Sequence, residues 1–152
     1  MLNYAVVQSN TSQAPVQPFS TASYDLSIII VSWNVRDLLI QCLTALSSEQ
    51  VQGALRIEII VVDNASTDGS AEAVKAFPGV KLIANRRNQG YGRANNQGFQ
   101  AARGRYLMVM NPDTVPQSES LEALVEFAEA HPEAGIVAPR LLNADMTVQT
   151  AA

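Results

Sequence analysis

From residue 24 onward, short apolar runs alternate with segments whose apolar residues recur at helical spacing. "DLSIIIVSW" (25–33) is apolar and β-branched at consecutive positions, as a strand covered on both faces requires. "VRDLLIQCLTALSS" (35–48) follows, with Leu38, Leu39, Cys42, Leu43 and Leu46 on one helical stripe. "RIEIIVVD" then predicts a strand, "DGSAEAVKAF" a short helix, "VKLIAN" a strand and "GRANNQGFQAAR" a weakly amphipathic helix. "RYLMVMN" reads as a strand, "SESLEALVEFAEAH" as a helix and "GIVAP" as a last strand. This alternation with short connections predicts a mostly parallel sheet with right-handed crossovers.

The beginning of the chain lacks that pattern. "QSNTSQAPVQPFSTAS" (8–23) is rich in Gln, Ser, Thr and Pro and has no apolar period. Such a stretch buries too little surface to offset its ordering entropy. Residues 1–23 are therefore expected to be a flexible leader and residues 24–152 one folded α/β unit.

Composition narrows the function classes. A length of 152 residues, 47% apolar and 16% charged, suits one globular domain with its own core. The formal charge of −4 supplies no broad cationic field, so no nucleic-acid partner is expected. With one cysteine and one histidine, an internal disulfide and a histidine-cysteine zinc site are both unavailable. No apolar run approaches the roughly 20 residues that span a bilayer, and the start does not read as a signal peptide. A cytoplasmic protein is expected, with peripheral attachment at the inner face of the membrane left open.

In open parallel sheets, ligands bind beyond the carboxyl ends of the strands. Here those ends read Ser32-Trp33-Asn34, Asp63-Asn64-Ala65-Ser66, Asn85 to Gly92, and Asn111-Pro112-Asp113. Each loop is polar where its strand is not. Asn34 is placed either to cap the next helix or to serve the site. Trp33 either fills the core or lines a nucleobase pocket. Ser66 or Asp68 suits a helix N-cap and Gly69 a turn. Asp63 comes too early to cap that helix, and a carboxylate there would accept hydrogen bonds from a base imide or a ribose hydroxyl. In "NRRNQGYGRANNQG" (85–98), Gly90 and Gly92 permit close backbone approach, and the following helix start offers N–H groups to an anion. Arg86, Arg87 and Arg93 are either solvated surface charges or phosphate partners. The loop is neither a Gly-x-Gly-x-x-Gly fingerprint nor a Walker loop, which disfavours dehydrogenases and P-loop enzymes. Pro112 restricts Asn111 to extended backbone and ends regular pairing nearby.

Taken in order, "SIIIVSWN", "IEIIVVDNASTDGS", "NRRNQGYGRANNQG", "YLMVMNPDT" and "GIVAPRLLNADMTVQ" resemble the donor-nucleotide half of glycosyltransferase family 2, more narrowly its rhamnosyltransferase-like members. The resemblance covers residues 26 to about 149. It implies a truncated glycosyltransferase A-type, Rossmann-like fold: a three-layer α/β/α sandwich around a mostly parallel sheet. It also implies a Mg²⁺ or Mn²⁺ ion between donor and protein, with Asn111-Pro112-Asp113 in place of the family's Asp-x-Asp element. By this carry-over Asp113 is the metal ligand. Asp63 resembles the carboxylate that reads uracil or thymine, and Trp33 the aromatic beside it. Asn34, Asn88, Gly90, Arg93, Asn95, Asn96 and Asn111 complete the nucleotide-binding set. The implied reaction is inverting transfer from a UDP- or dTDP-sugar, rhamnose among the sugars, to a glycan or lipid-linked acceptor.

The family's general base lies after the donor half, in a Glu-Asp element that this sequence does not include before Ala152. Asp145 reads as structural. No catalytic residue is therefore assigned, and this chain alone is expected to bind a donor without transferring it. The competing reading is a non-catalytic nucleotide-binding or interaction module, to which Asn111 lends weight. A sugar-phosphate nucleotidyltransferase would need a basic glycine-rich loop where this chain has "VSWNVRDLL". Self-association is expected through whatever apolar surface the absent acceptor portion would cover.

Overall fold

The computed structural model describes residues 4–8, 23–143 and 145–149. Its elements run β1 (Tyr4–Gln8), β2 (Tyr24–Ser32), α1 (Arg36–Leu46), α2 (Glu49–Gln52), β3 (Ile57–Asp63), α3 (Ser70–Val74), β4 (Lys81–Ala84), α4 (Tyr91–Ala101), β5 (Gly104–Met110), α5 (Ser120–Ala130) and β6 (Ile136–Val137). The strands form one sheet in the order β4-β3-β2-β5-β1-β6. β4, β3, β2 and β5 are mutually parallel, whereas β1 is antiparallel to both β5 and β6.

One expectation is corrected at the start of the chain. Tyr4–Gln8, placed by the sequence reading in a flexible leader, pair with β5 from Tyr4 opposite Met110 to Gln8 opposite Tyr106. "YAVVQ" holds three strand formers but is too short to show a period beside the polar stretch that follows. The rest of the expected leader, 1–3 and 9–22, lies outside the described residues.

β2 runs through the middle of the sheet, so both of its faces are covered. One face, carrying Ile28, Ile30, Val61 and Met108, packs against α1, α3 and α5 residues such as Leu43, Val74 and Leu121. The other carries Val31, Ile60 and Val62 against Ala94 of α4. Helices on both faces of the sheet give the three layers. On α1, Leu39, Cys42, Leu43 and Leu46 are buried, but Leu38 is exposed. The buried stripe follows i, i+3, i+4, i+7, and Leu38 falls one residue outside it. The single turn of α2, anchored by buried Val51, went unrecognised because one turn shows no period. Among the described residues no helix is long and apolar enough to cross a membrane.

The amino-terminal end of the sheet is tied by a buried carboxylate. Glu58, 6% exposed, accepts a 2.6 Å hydrogen bond from Ser27 Oγ and one from the Arg103 N–H. Ser27 Oγ in turn accepts from the Gly104 N–H at 2.7 Å. Nearby, Arg56 forks onto Asp25 through Nε (3.0 Å) and Nη2 (2.7 Å), joining the starts of β3 and β2. This end is built for cohesion.

Cys42 lies under the opposite rim, its Sγ 3.9 Å from Met110 Sδ. Burial, aided by the negative charge of Asp113, pushes its thiol up to about 12. The thiolate is the reactive species, so a disulfide reagent at pH 8 is expected to label Cys42 only once the chain unfolds. Stoichiometric labelling of the native protein within minutes would contradict this packing.

Candidate functional site

The carboxyl ends of the parallel strands carry the polar loops. At the end of β2, Trp33 is 56% exposed, so it does not fill the core. Asn34 has φ +54 and does not cap α1, whose N-cap is Val35. Its Oδ1 instead accepts the Thr67 N–H at 2.8 Å, and its own N–H donates to Ser66 Oγ at 3.0 Å. Asn34 thus ties the β2 loop to the β3 loop. The cap of α1 comes from a distant residue, because Asp68 Oδ2 accepts the Arg36 N–H at 2.9 Å.

Asp68 also accepts from Ser70 N–H and Oγ through Oδ1, at 3.0 and 2.6 Å, across Gly69, which rather than Ser66 or Asp68 is the N-cap of α3. The Ser70 hydroxyl bond, with help from these N–H groups, holds its carboxyl below the ordinary 3.8. A depressed carboxylate contributes stability that is complete above that ordinary value and disappears as pH falls through the folded value. Thermal midpoints are therefore expected to drop below about pH 4, more shallowly in Asp68→Asn. Identical slopes in the two proteins would refute the assignment.

β3 ends in Asp63, only 2% exposed. Its Oδ2 accepts the Ser66 N–H at 3.0 Å, closing a turn in which Ala65 has φ +67. Its Oδ1 is buried and has no hydrogen-bond partner. The Ser32 hydroxyl, on the residue paired with Asp63 across the sheet, is likewise buried and unpartnered. Buried polar atoms are rarely left so, and a bound group that supplies the missing bonds is one reason for it. Asn64 is also buried, at 3% exposure, but its side chain is fully engaged with the loop after β4.

In that loop Asn88 Oδ1 accepts from Asn64 Nδ2 (2.8 Å) and from the Gly90 N–H (2.9 Å). Gly90, at φ +82 and ψ 157, precedes α4 in a conformation that side chains disfavour, and provides no side-chain cap. The first turn of α4 therefore receives no side-chain acceptor from its N-cap residue. Gly92 lies inside α4, so the special backbone freedom expected of it is not used. Arg86, Arg87 and Arg93 are exposed. None of the three is in an ion pair with a carboxylate among the described residues. Asn95 faces the sheet, its Nδ2 on the Tyr91 carbonyl at 3.0 Å and its Oδ1 buried without a partner. Asn96, next along the helix, is exposed. The two asparagines therefore differ in burial.

At the end of β5, Asn111 to Thr114 form a turn closed by Thr114 N–H to Asn111 O at 3.2 Å, with Pro112 at its second position. The Tyr91 hydroxyl lies 3.3 Å from Asn111 Oδ1, linking this turn to the start of α4. Asp113 is exposed and lines an open groove of about 550 Å³ together with Val115, Arg140, Leu142 and Met146. The far wall is a small hairpin in which Leu142 bridges Val148 and Asp145 Oδ1 accepts from Thr147 Oγ at 2.6 Å. Asp145 thus has a hairpin-closing role. No cluster of three His, Cys, Asp or Glu side chains able to hold a metal occurs among the described residues. Asp113 nevertheless fits a hard cation of the kind held by one carboxylate plus phosphate and water oxygens.

The architecture, helices on both faces of a mostly parallel sheet, is that of the glycosyltransferase A type. The family profile described as "Glycosyl transferase family 2" matches residues 27–151. This chain belongs to that family. It is 34% identical over 108 residues to the succinoglycan biosynthesis protein ExoO of Rhizobium meliloti, covering 70% of this chain and 30% of that protein. It is 32% identical over 108 residues to the N-acetylglucosaminyl-diphospho-decaprenol L-rhamnosyltransferase of Mycobacterium tuberculosis, covering 63% and 35%. The chain thus spans about a third of the length of these relatives. Among solved structures, the mannosyltransferase PcManGT from Pyrobaculum calidifontis, in complex with GDP-Man and Mn²⁺, superimposes with a TM-score of 0.64 at 24% identity. That alignment covers 77% of this chain and 36% of the other.

Asn64 and Tyr91 were not singled out by sequence reasoning. Asn64 had a signal in its position beside Asp63, but only the fold shows it buried under a loop more than 20 residues away. Tyr91 is exposed and its reach to Asn111 depends on how α4 sits against β5.

Proposed function

We propose that the chain is the donor-binding portion of an inverting glycosyltransferase, holding a UDP- or dTDP-sugar against the carboxyl rim of its sheet. The observation that carries this reading is Asp63, a buried carboxylate at a strand end with one oxygen fixed by its own turn and the other unpartnered. That oxygen suits the imide N–H of uracil or thymine, with the exposed Trp33 ring beside it at the end of β2. Arg86, Arg87, Arg93 and the α4 N-terminus supply the positive end for a diphosphate. Asn34, Asn88, Gly90, Asn95, Asn96 and Asn111 shape or line the same edge.

Asp113 would hold a Mg²⁺ or Mn²⁺ ion, which stabilises a departing diphosphate as a Lewis acid. With Asn111 in place of a second carboxylate, the protein's own share of that site is a single charge, so metal affinity rests on the bound diphosphate. The described residues orient a donor, whereas removal of the acceptor proton needs a general base that none of them supplies. The acceptor is proposed to be a glycan or lipid-linked sugar, in line with the relative named for a diphospho-decaprenol substrate.

Titration with UDP, dTDP and GDP, followed through the single tryptophan, tests this reading. UDP or dTDP is expected to bind more tightly with Mn²⁺, and Asp113→Ala to lose most of that Mn²⁺ enhancement. Asp63→Ala should weaken binding by about 10- to 100-fold, the range of one or two hydrogen bonds to a charged group. Asn111 favours the second reading, a non-catalytic module. Failure of every nucleotide to bind, with or without the metal, would select it.

A further inference from the structure

The loop joining β4 to α4 has little backbone support. Asn85 N–H donates to the Asp63 carbonyl at 2.9 Å, and α4 begins with Ala94 N–H to Gly90 O. Between them, residues 86–89 make no backbone-to-backbone hydrogen bond among those described. The support comes from side-chain amides. Asn64 Oδ1 accepts both the Gln89 N–H (2.9 Å) and Asn85 Nδ2 (3.2 Å), while Asn64 Nδ2 donates to Asn88 Oδ1 (2.8 Å). Asn88 Oδ1 holds the Gly90 N–H. Asn85 and Gln97 exchange a reciprocal pair of amide bonds at 2.9 Å, carrying the network onto α4.

We infer that Asn64 is a positioning residue that sets the shape of loop 85–90, and through it the diphosphate end of the donor site. The inference rests on the donor-binding reading above for its ligand, but not for its geometry. Asn64 uses one amide end as acceptor and the other as donor, so polarity as well as shape is specified. An aspartate would still receive Gln89 and Asn85, but its second oxygen would face Asn88 Oδ1. If the Asn88 amide turned over to meet it, the Gly90 N–H would lose its acceptor. Either response releases the residue that precedes α4. The framework is also uncharged, which leaves Arg86 and Arg87 on the same loop outside the network and available to phosphate.

Amide hydrogen exchange of the full chain without ligand, alongside UDP and uridine affinities, tests the inference. In Asn64→Asp, exchange at Gly90 is expected to quicken more than 10-fold while buried amides of β2 keep their wild-type rates. The preference for UDP over uridine should fall at least 5-fold. Asn88→Asp, which keeps the accepting oxygen, should leave Gly90 exchange near wild type, and Asn88→Leu should release it. If Asn64→Asp does not fold, the two Asn88 variants carry the same comparison. Unchanged Gly90 exchange in Asn64→Asp and Asn88→Leu would overturn the network's role. Fast exchange with an unchanged UDP-to-uridine ratio would overturn the link to the diphosphate. If wild-type protein bound no nucleotide, the donor-binding reading and the diphosphate link would both fall, while exchange would still decide whether Asn64 holds the loop.

Discussion

Replacing Glu58 by alanine is expected to lower the unfolding free energy by about 3 kcal/mol, among the largest effects of any single change in this chain. The substitution leaves the buried Ser27 hydroxyl and the part-buried Arg103 N–H without their acceptor. Each stranded donor costs roughly 1–3 kcal/mol, and a small cavity adds to that. Glu58→Gln keeps one acceptor oxygen and should cost about 1 kcal/mol. The surface pair with Arg103 at 3.7 Å adds little, because that guanidinium is largely exposed. Urea unfolding of the three proteins, with unchanged m-values, measures the difference. A Glu58→Ala protein within about 0.5 kcal/mol of wild type would mean that the buried carboxylate does not hold β2, β3 and the start of β5 together.

Gly98→Ala should weaken both stability and nucleotide binding. A Cβ at this position would sit 2.4 Å from Cγ2 of Ile29 and 3.0 Å from its Cγ1. Ile29 is fully buried in the central strand and β-branched, so its methyl has no alternative well to enter. α4 must then rise off the sheet. Overpacking of this kind costs about 1–3 kcal/mol. The displacement is transmitted to Asn95 and Gln97 on the same helix, and from Gln97 to Asn85 in the loop. Nucleotide affinity is expected to fall about 10-fold, the equivalent of one displaced hydrogen bond. A paired Ile29→Val, Gly98→Ala protein keeps Cβ, Cγ1 and Cγ2, the carbons that the new Cβ meets, and should recover little of the loss. Full affinity in Gly98→Ala alone would show that helix α4 and the binding edge are not mechanically joined.

Neither Glu58 nor Gly98 stood out in the sequence, which was informative about other residues. The consecutive apolar positions of β2 could only be a strand covered on both faces, and the helical stripe of α1 was readable to within one residue, Leu38. The strand ends followed, and with them the set of loops that share one rim. Asp63 stood out because a carboxylate directly after an apolar run needs a reason to be there. What escaped was long-range pairing. Glu58 is a charged residue inside a strand, and nothing local says that Ser27 lies beside it on the neighbouring strand. Asn34 has the composition of a helix cap, yet Asp68 from another loop takes that task, while the Asn34 amide turns to the Thr67 N–H. Asn64 and Asn88 were indistinguishable from ordinary loop amides until the chain folded back on itself.

The first strand sets a constraint on the order of assembly. β1 lies between β5 and β6, pairing Tyr4 with Met110 and Val6 with Val137. β1 can pair with β5 only once Gly104–Met110 has been made, and with β6 only after Ile136–Val137. The parallel strands β2, β3 and β4 have their mutual ladder partners by Ala84 and are free to pair before β5 is made. Closing so long a loop is slow relative to local pairing. The far margin of the sheet should therefore be the last part to form on synthesis, and the first to open under mild denaturant.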